Sequence, residues 1–223
     1  MMIYKMINKS KLAFIIFMIS VSSYCFAAEK NSSTEQLKAL LTPIQTLQGG
    51  FKQTVFSEGG KRLRVETGQM WLKRGGNFRW EIKGKSPHWV IGDGKQIWDY
   101  DVELEQVVVQ KFSKAQGAAP IVFLTGQTNV LEKNFKVDDI SKSAKGVCLQ
   151  GSDTCFKLTP KLAQDNFQWI RVGFKQGKLQ ELEMLDQLGQ RAEFQFLNLK
   201  MNESISDKLF NFIPPKGVDV IRN

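Results

Sequence analysis

The spacing of hydrophobic residues changes from a helical to an extended period early in the chain. Leucine and isoleucine recur every three or four positions over residues 34–48, which predicts a helix with one apolar face. Pro43 lies inside this pattern and is expected to kink the helix or to start a new turn. After Gly49-Gly50, apolar and polar residues alternate from Phe51 onwards, which is the period of a half-buried strand.

Short segments with strand character follow one another along most of the remaining chain. Tight turns such as Gly92-Asp93-Gly94-Lys95 join several of them, and these residue types tolerate positive φ angles. Because most of the segments are not separated by a crossover helix, the predicted sheet is antiparallel. The predicted strands are 51–55, 62–73, 77–82, 88–92, 96–101, 104–111, 135–139, 146–150, 155–159, 168–174, 178–186 and 191–199.

Residues 117–134 break this alternation. A short helix is predicted from Pro120 to Leu124, and a further turn of helix over residues 128–133. A sheet of about eleven strands curls under its own twist, and the helices would bury their apolar faces on its concave side. The pattern therefore predicts a mainly β protein, one curled antiparallel sheet with about three short helices laid across it.

Large apolar side chains occupy alternating positions in the first group of strands. The ordinary interpretation is a sheet core, which accounts for most of them. A curled sheet covered by few helices is also expected to leave an apolar cavity that can hold a ligand. The aromatic residues in question are Trp71, Phe78, Trp80, Trp89, Trp98 and Tyr100.

The N-terminal segment has the pattern of a secretory signal peptide. Three lysines precede an apolar stretch over residues 12–21, and residues 25–27 offer small side chains for cleavage. A permanent membrane anchor is the alternative, but a spanning helix needs roughly 20 apolar residues and this stretch is shorter. An acylated Cys25 is disfavoured because bulky Tyr24 precedes it. We therefore predict a signal peptide at residues 1–27.

Length and charge are consistent with one exported domain. Cleavage after residue 27 would leave residues 28–223 as a single domain. The full chain has a net charge of +9, but its basic residues are scattered rather than gathered into a run with interleaved aromatics. No nucleic-acid partner is therefore predicted. The charge indicates solvation, or a weak preference for acidic partners or an anionic membrane face.

Two cysteines, Cys148 and Cys155, remain after the predicted cleavage. An even pair in an exported chain indicates a disulfide, and the polar residues between the two predict that it closes a hairpin. A pair of free buried thiols is the alternative. No metal site is predicted, because two cysteines and the single histidine, His88, supply too few ligands.

Residue patterns typical of catalysis are scarce. His88 is interpreted as an edge or surface imidazole, since no nucleophile motif accompanies it. Asp138 and Asp139 are adjacent, but neighbours on a strand point to opposite faces and do not converge on one substrate. No phosphate loop, dinucleotide fingerprint or calcium loop occurs in the sequence. We therefore predict a non-catalytic binding protein without a cofactor.

Several short segments carry a family likeness. Met70-Trp71-Leu72-Lys73-Arg74 is followed, after a turn, by Asn77-Phe78-Arg79-Trp80. The other segments are Phe51-Lys52-Gln53, the stretch from Gly92 to Tyr100, Lys157-Leu158-Thr159-Pro160, and the stretch from Phe210 to Val218. Together they resemble the LolA family of periplasmic outer-membrane lipoprotein carriers. The resemblance covers nearly the whole mature chain in order.

The resemblance implies a fold and a function. The implied fold is an unclosed, strongly curled antiparallel β-barrel under a helical lid, with an apolar cavity that takes lipoprotein acyl chains. Carriers of this family collect lipoproteins from an inner-membrane LolCDE-type transporter and hand them to an outer-membrane LolB-type receptor. The implied protein is a monomeric periplasmic carrier of a Gram-negative envelope, with acylated lipoproteins as its cargo.

The resemblance also implies roles for individual residues. Arg74 matches an arginine that holds the empty lid shut by reaching lid backbone carbonyls. Phe78 matches a phenylalanine at the cavity mouth that matters for receiving cargo, and Leu41 and Leu124 match apolar lid residues that meet the arginine. The residues predicted to line the cavity or its mouth are Phe78, Leu41, Leu124, Trp71, Trp80 and Trp98.

This chain departs from the family pattern in the turn after Arg74. The family usually has a proline there, whereas Gly75-Gly76 follows in this sequence, so we expect a looser turn. Pro43 and the pair Cys148 and Cys155 are also unusual for the family, and lid movement is expected to differ in detail.

Two other functions are compatible with parts of this pattern. One is a lipid-sensing regulator of envelope stress on the same scaffold, although such regulators usually carry a second C-terminal domain that is not predicted here. The other is an envelope hydrolase, which would need a pocket with a paired nucleophile and base. An apolar cavity without a titratable pair would argue against the hydrolase.

Overall fold

The computed structural model describes residues 32–112, 124, 128–142, 148, 151–162 and 167–222. The predicted signal peptide lies outside these residues, and so does the predicted helix between Pro120 and Leu124, except for Leu124 itself. Within the described ranges, no helix has the length and hydropathy that crossing a membrane requires.

Helix α1 (Ser33–Leu41) opens the described chain and is shorter than the 34–48 pattern predicts. The Ser32 side chain caps it by accepting a hydrogen bond from the Glu35 N–H at 3.2 Å. Pro43 lies just beyond the helix and has no N–H with which to extend it. The expected kink at Pro43 is therefore a helix end, and the last part of the predicted helix is loop and strand.

Strands make up most of the rest of the described chain, and they belong to a single 12-stranded sheet. The strands are β1 (Thr46–Phe56), β2 (Arg62–Lys73), β3 (Asn77–Lys83), β4 (His88–Asp93), β5 (Gln96–Asp101), β6 (Gln106–Lys111), β7 (Phe135–Asp139), β8 (Thr154–Pro160), β9 (Phe167–Lys175), β10 (Lys178–Asp186), β11 (Arg191–Met201) and β12 (Asp219–Arg222). Their order across the sheet is β12-β6-β5-β4-β3-β2-β1-β11-β10-β9-β8-β7. All neighbouring pairs are antiparallel except β12 and β6, which are parallel.

This topology confirms the predicted fold class. The two edge strands of the described sheet are β12 and β7, so the sheet does not close on itself. β12 was not predicted, because its pattern is short and its partner β6 lies far away in the sequence. The predicted strand at 146–150 lies outside the described residues except for Cys148, which is not part of a strand.

The described helices agree in part with the predicted lid. Helix α2 (Thr128–Asn134) matches the turn of helix predicted over residues 128–133, and a short 3-10 helix covers Asp207–Phe210. The described residues thus contain two α-helices, where about three were predicted for the whole chain. Leu124 is buried, with 3% of its surface exposed.

The sheet buries apolar residues on both of its faces. On the face that packs against α1, here called the inner face, the main core joins Leu37, Leu41 and Ile44 to the strands. On the opposite, outer face, a smaller core lies across β4, β5 and β6, and Phe212 of the C-terminal segment packs into it. Helix α1 thus covers one face of the sheet and the C-terminal segment covers part of the other.

Candidate functional site

A stack of aromatic rings lies at the centre of the inner face. The rings of Phe51 and Trp80 are 3.8 Å apart between centroids, and Trp80 meets Phe194 edge-on at 5.5 Å. Gly68 makes this packing possible, because a Cβ at that position would lie 2.2 Å from the Phe51 Cζ atom. The rings come from β3, β1 and β11, so the stack ties the two halves of the sheet together.

Half-buried apolar side chains continue from this stack toward the end of the sheet where β1 and β2 are joined. They pack against the main core but keep part of their surface accessible. Cross-strand pairs place them on one face, Trp80 with Val90 and Met184 with Ala192. We call this surface the apolar mouth, and its members are Trp80, Ile82, Val90, Met184 and Ala192.

Phe78, Leu41 and Leu124 lie deeper than the apolar mouth. Their exposed fractions are 0%, 1% and 3%, and all three belong to the main core. Phe78 is packed so closely that a Cβ on Gly92 would lie 2.3 Å from its ring. In this structure Phe78 is therefore a fully buried residue of the main core, and Trp80 and Ile82 on the same strand are the accessible ones.

Trp71 and Trp98 lie on the outer face, which corrects their expected placement beside Phe78 and Trp80. The hairpin after β2 pairs Leu72 with Phe78, so Trp71 points away from the inner face. Trp98 pairs with Ile91 and packs against Phe212 in the outer core, with 6.3 Å between ring centroids. The sequence pattern located the strands, but the faces follow only from the register that the turns impose.

Arg74 fastens the C-terminal end of α1 to the sheet. Its Nη2 donates to the backbone oxygens of Leu41 at 3.1 Å, Thr42 at 2.7 Å and Ile44 at 3.3 Å. Its Nε also donates to the Ile44 oxygen at 3.3 Å, and its backbone N–H donates to the Gln45 oxygen at 2.9 Å. A cation suits this place, since the last carbonyls of a helix lack intrahelical partners and carry partial negative charge.

The turn after Arg74 is built on glycine conformations. Gly75 and Gly76 have φ angles of +99° and +89°, which other residues rarely adopt. A proline at position 75 is excluded, because its ring fixes φ near −65°. The turn therefore differs from the proline-containing family pattern, and Arg74 still reaches the carbonyls of the α1 end.

His88 and Asp99 form a polar pair beside the apolar mouth that the sequence pattern did not reveal. His88 Nε2 lies 2.6 Å from Asp99 Oδ1, and the register places both residues on the inner face. The hydrogen bond to Asp99 raises the pKa of His88 above 6.5, against a lowering by partial burial, and Asp101 and Glu66 add to the rise. The pair requires β4 and β5 to be adjacent, so a single-strand pattern could not show it.

This pair predicts a pH dependence of stability. The folded-state pKa of His88 is raised. The stabilisation that its pairing with Asp99 adds to the folded state is therefore complete below the unfolded-state pKa of about 6.5, and it is lost as pH rises through the folded-state pKa. Side-chain exposures of 35% and 43% allow solvent screening, so we expect an effect below ~1 kcal/mol. Urea unfolding from pH 5 to pH 9 would measure it. The part of the pH dependence of the unfolding free energy that comes from this pair should vanish in Asp99→Asn. An unchanged pH dependence in that variant would contradict the assignment.

Cys148 and Cys155 are bridged, as the even pair of cysteines predicted. Their Cα atoms are 5.5 Å apart, which is a usual disulfide separation. Cys155 lies in β8, whereas Cys148 is outside any strand, so the bridge does not join two strands as the predicted hairpin would. Among the described residues, no group of three or more His, Cys, Asp or Glu side chains is arranged to hold a metal ion.

Comparisons with known proteins identify the family. Residues 42–213 match the family described as "Outer membrane lipoprotein carrier protein LolA". The chain is 37% identical over 207 residues to an outer-membrane lipoprotein carrier protein of Legionella pneumophila (strain Corby), covering 93% of this chain and 98% of that protein. Proteins of the same name from Dechloromonas aromatica (strain RCB) and Pseudomonas paraeruginosa (strain DSM 24068 / PA7) are 35% and 34% identical. They cover 90% and 87% of this chain, and 95% and 90% of their own lengths.

The family match spans most of the chain: it begins directly after α1 and includes the arginine turn and nearly all of the sheet. The relatives are matched along almost their whole lengths. The chain therefore belongs to the LolA family of outer membrane lipoprotein carrier proteins.

Proposed function

We propose that this chain is a periplasmic carrier that binds the acyl chains of lipoproteins released from the inner membrane and delivers them to an outer-membrane receptor. The observation that carries the proposal is an apolar inner face covered by α1, whose end Arg74 fastens through backbone carbonyls. The relatives' shared name, outer-membrane lipoprotein carrier protein, supports the same cargo. Export behind a signal peptide at residues 1–27 would deliver residues 28–223 to the periplasm as one monomeric domain.

The cargo sets the energetic requirement. Each CH₂ group of an acyl chain that leaves a membrane for water costs about 0.8 kcal/mol, so a multiply acylated protein needs a large apolar surface during transit. The inner face offers such a surface, and Leu37 and Leu41 of α1 cover it in the closed form with at most 1% of their own surfaces exposed. We infer that acyl chains take the place of these leucines when α1 lifts, starting from the apolar mouth.

Closure is equally necessary when the carrier is empty. An open inner face would be a large exposed apolar patch, and such patches cause aggregation. Hydrogen bonds from a charged donor contribute about 1.5–3 kcal/mol when buried. The guanidinium of Arg74 is only partly buried, so its contribution belongs at the lower end. A latch of that strength holds the empty form shut and still yields to acyl chains.

The carrier performs no chemical step in this proposal. Its partners are an inner-membrane LolCDE-type transporter that loads it and an outer-membrane LolB-type receptor that unloads it. Directional transfer then requires only that the cargo bind more weakly to this carrier than to the receptor, since a ligand moves toward the site of lower free energy.

Release from spheroplasts tests the proposal. Spheroplasts lacking their own carrier are incubated with the purified mature chain, and radiolabelled lipoproteins are counted in the supernatant. We expect lipoproteins to appear there in proportion to added carrier and to remain membrane-bound without it. The matched control is a periplasmic fraction prepared from a strain that lacks the gene for this chain. Release that is equal with and without the chain would contradict the proposal.

A further inference from the structure

The outer face carries a groove that takes no part in the proposed acyl site. It lies over β1, β2 and β11 and has a volume of ≈ 490 Å³. The side chains that line it include Trp71, Gln69 and Gln48, which point away from the inner face in the same register. The sheet therefore separates this groove from the core beneath α1.

The floor of the groove is open because residue 50 is a glycine. Gly49 is required by packing, since a Cβ there would lie 2.9 Å from the Leu197 oxygen. Gly50 is not: its Cβ would meet Gln69 Nε2, the Gly68 oxygen and the Leu197 Cβ at ordinary contact distances of 3.6 Å. Its φ is outside the left-handed range. Glycine in a strand interior weakens the strand and often marks close approach of a ligand. At position 50 the absence of a side chain leaves open space on the floor of the groove.

The walls of the groove combine an aromatic ring with polar and cationic groups. Trp71 presents a half-buried indole, and the polar lining includes three side-chain amides, one hydroxyl and two lysines, with no acidic residue among the described lining. Lys200 Nζ lies 3.4 Å from Oε2 of Glu203, a neighbour outside the lining, and the same oxygen accepts a hydrogen bond from Gln48 Nε2 at 3.2 Å. Lys83 is exposed and has no ion pair with any acidic side chain of the described residues.

We propose that this groove binds a pyranose sugar that carries a carboxylate or phosphate group. The apolar face of the sugar ring fits the indole of Trp71, which has an apolar body and a polar edge. The amides of Gln69 and Asn198 both donate and accept, as ring hydroxyls require, and Gln48 offers its amide oxygen as an acceptor. Lys83 supplies the charge for the anionic group. A purely apolar ligand would displace water from the amides of Gln69 and Asn198 without replacing its hydrogen bonds, at a cost in affinity.

Such a site would let the chain bind an anionic glycan on its outer face. Because the groove and the inner face are on opposite sides of the sheet, an occupied groove and a loaded carrier are compatible. The inference therefore stands independently of the proposed lipoprotein function, and either can fail without the other.

A titration followed by amide and indole NMR signals tests the proposal on the mature chain. The probes are glucuronic acid, glucose 6-phosphate, glucose and inorganic phosphate at constant ionic strength. We expect saturable shifts of the Trp71 indole N–H and the Gln69 side-chain amide, with at least one anionic sugar binding roughly tenfold more tightly than glucose. The stronger of the two anionic sugars identifies the anion. No saturable shift would overturn the proposal, and so would equal binding of inorganic phosphate alone.

Two variants with matched controls locate the site. Gly50→Val fills the floor and suits a strand, so binding should weaken at least about tenfold while the melting temperature stays or rises. Gly59→Val, in a turn where a Cβ would meet only Ser57 Oγ at 3.9 Å, should bind like the parent. Lys83→Gln should reduce the affinity for the anionic sugar to that for glucose, whereas Lys216→Gln should not. Parent-like binding by folded Gly50→Val would overturn the assignment.

Discussion

Replacement of Arg74 by leucine is expected to trap lipoprotein on the carrier. The variant loses the guanidinium bonds to the carbonyls of Leu41, Thr42 and Ile44 but keeps an apolar stem. The closed form loses stability relative to the open, loaded form, and a two-state equilibrium shifts by that difference. Lipoprotein should still be accepted, and delivery to outer membranes should fall by about tenfold or more for each ~1.4 kcal/mol lost from closure.

Two further variants separate the latch from a general effect of charge. Arg74→Lys keeps a cation but loses the planar fork of donors, so we expect partial impairment. Arg64→Leu removes an arginine from the same strand whose side chain is 56% exposed and pairs with Glu66, so transfer should remain near the parent level. Transfer is followed as labelled lipoprotein moving from the purified complex to outer-membrane vesicles. Normal delivery by Arg74→Leu would mean that Arg74 only caps the end of α1.

Replacement of Phe78 by glutamate is expected to unfold the protein rather than to block cargo binding selectively. Phe78 is fully buried in the main core and touches no solvent. A carboxylate there would have no partner, and an uncompensated buried charge costs about 3–5 kcal/mol, a large part of the stability of a typical domain. Urea unfolding of a periplasmically expressed variant would measure this loss. A stably folded Phe78→Glu protein would show that this core opens readily.

Ile82→Glu is the matched variant for cargo binding. Ile82 lies on the same strand and the same face as Phe78, but it is half-buried in the apolar mouth. A glutamate can reach solvent from there, so we expect a stability loss within ~1 kcal/mol, as for partly exposed sites. Lipoprotein release from spheroplasts should nevertheless fall strongly, because the charge lies where acyl chains enter. Parent-like release by this variant would place the entry elsewhere.

The strands could be predicted from the sequence because they are connected locally. The predicted bounds of 62–73, 96–101 and 178–186 equal those of β2, β5 and β10. Alternation and glycine-rich turns specify such hairpins within a few residues of the chain. β12 escaped prediction because it pairs with a distant strand in parallel.

The faces of the sheet were harder to predict than the strands. Trp71 and Trp98 belong to the outer face because the register of each hairpin, and not residue type, decides where a side chain points. Gly75 and Gly76 could have indicated that register, since a three-residue turn pairs Lys73 with Asn77. The second core under Phe212 also gives the sheet two apolar faces, which a single-cavity prediction does not anticipate.

Arg74 illustrates what a resemblance adds to a pattern. In the sequence alone, an arginine before two glycines is an ordinary turn residue. The structure brings it to the carbonyls of Leu41 and Thr42, across a separation of 33 and 32 residues. No local rule predicts such a contact, because it depends on how α1 packs on the sheet.

Native mass spectrometry of the carrier isolated from periplasm, without detergent, tests the central claim most directly. We expect a population whose mass equals the mature chain plus one triacylated lipoprotein, and the loaded share should increase in Arg74→Leu. Mild acid or detergent should release the cargo intact, since no covalent bond holds it. A carrier that is always found empty, or loaded with a ligand that has no acyl chains even in the Arg74→Leu variant, would contradict the account.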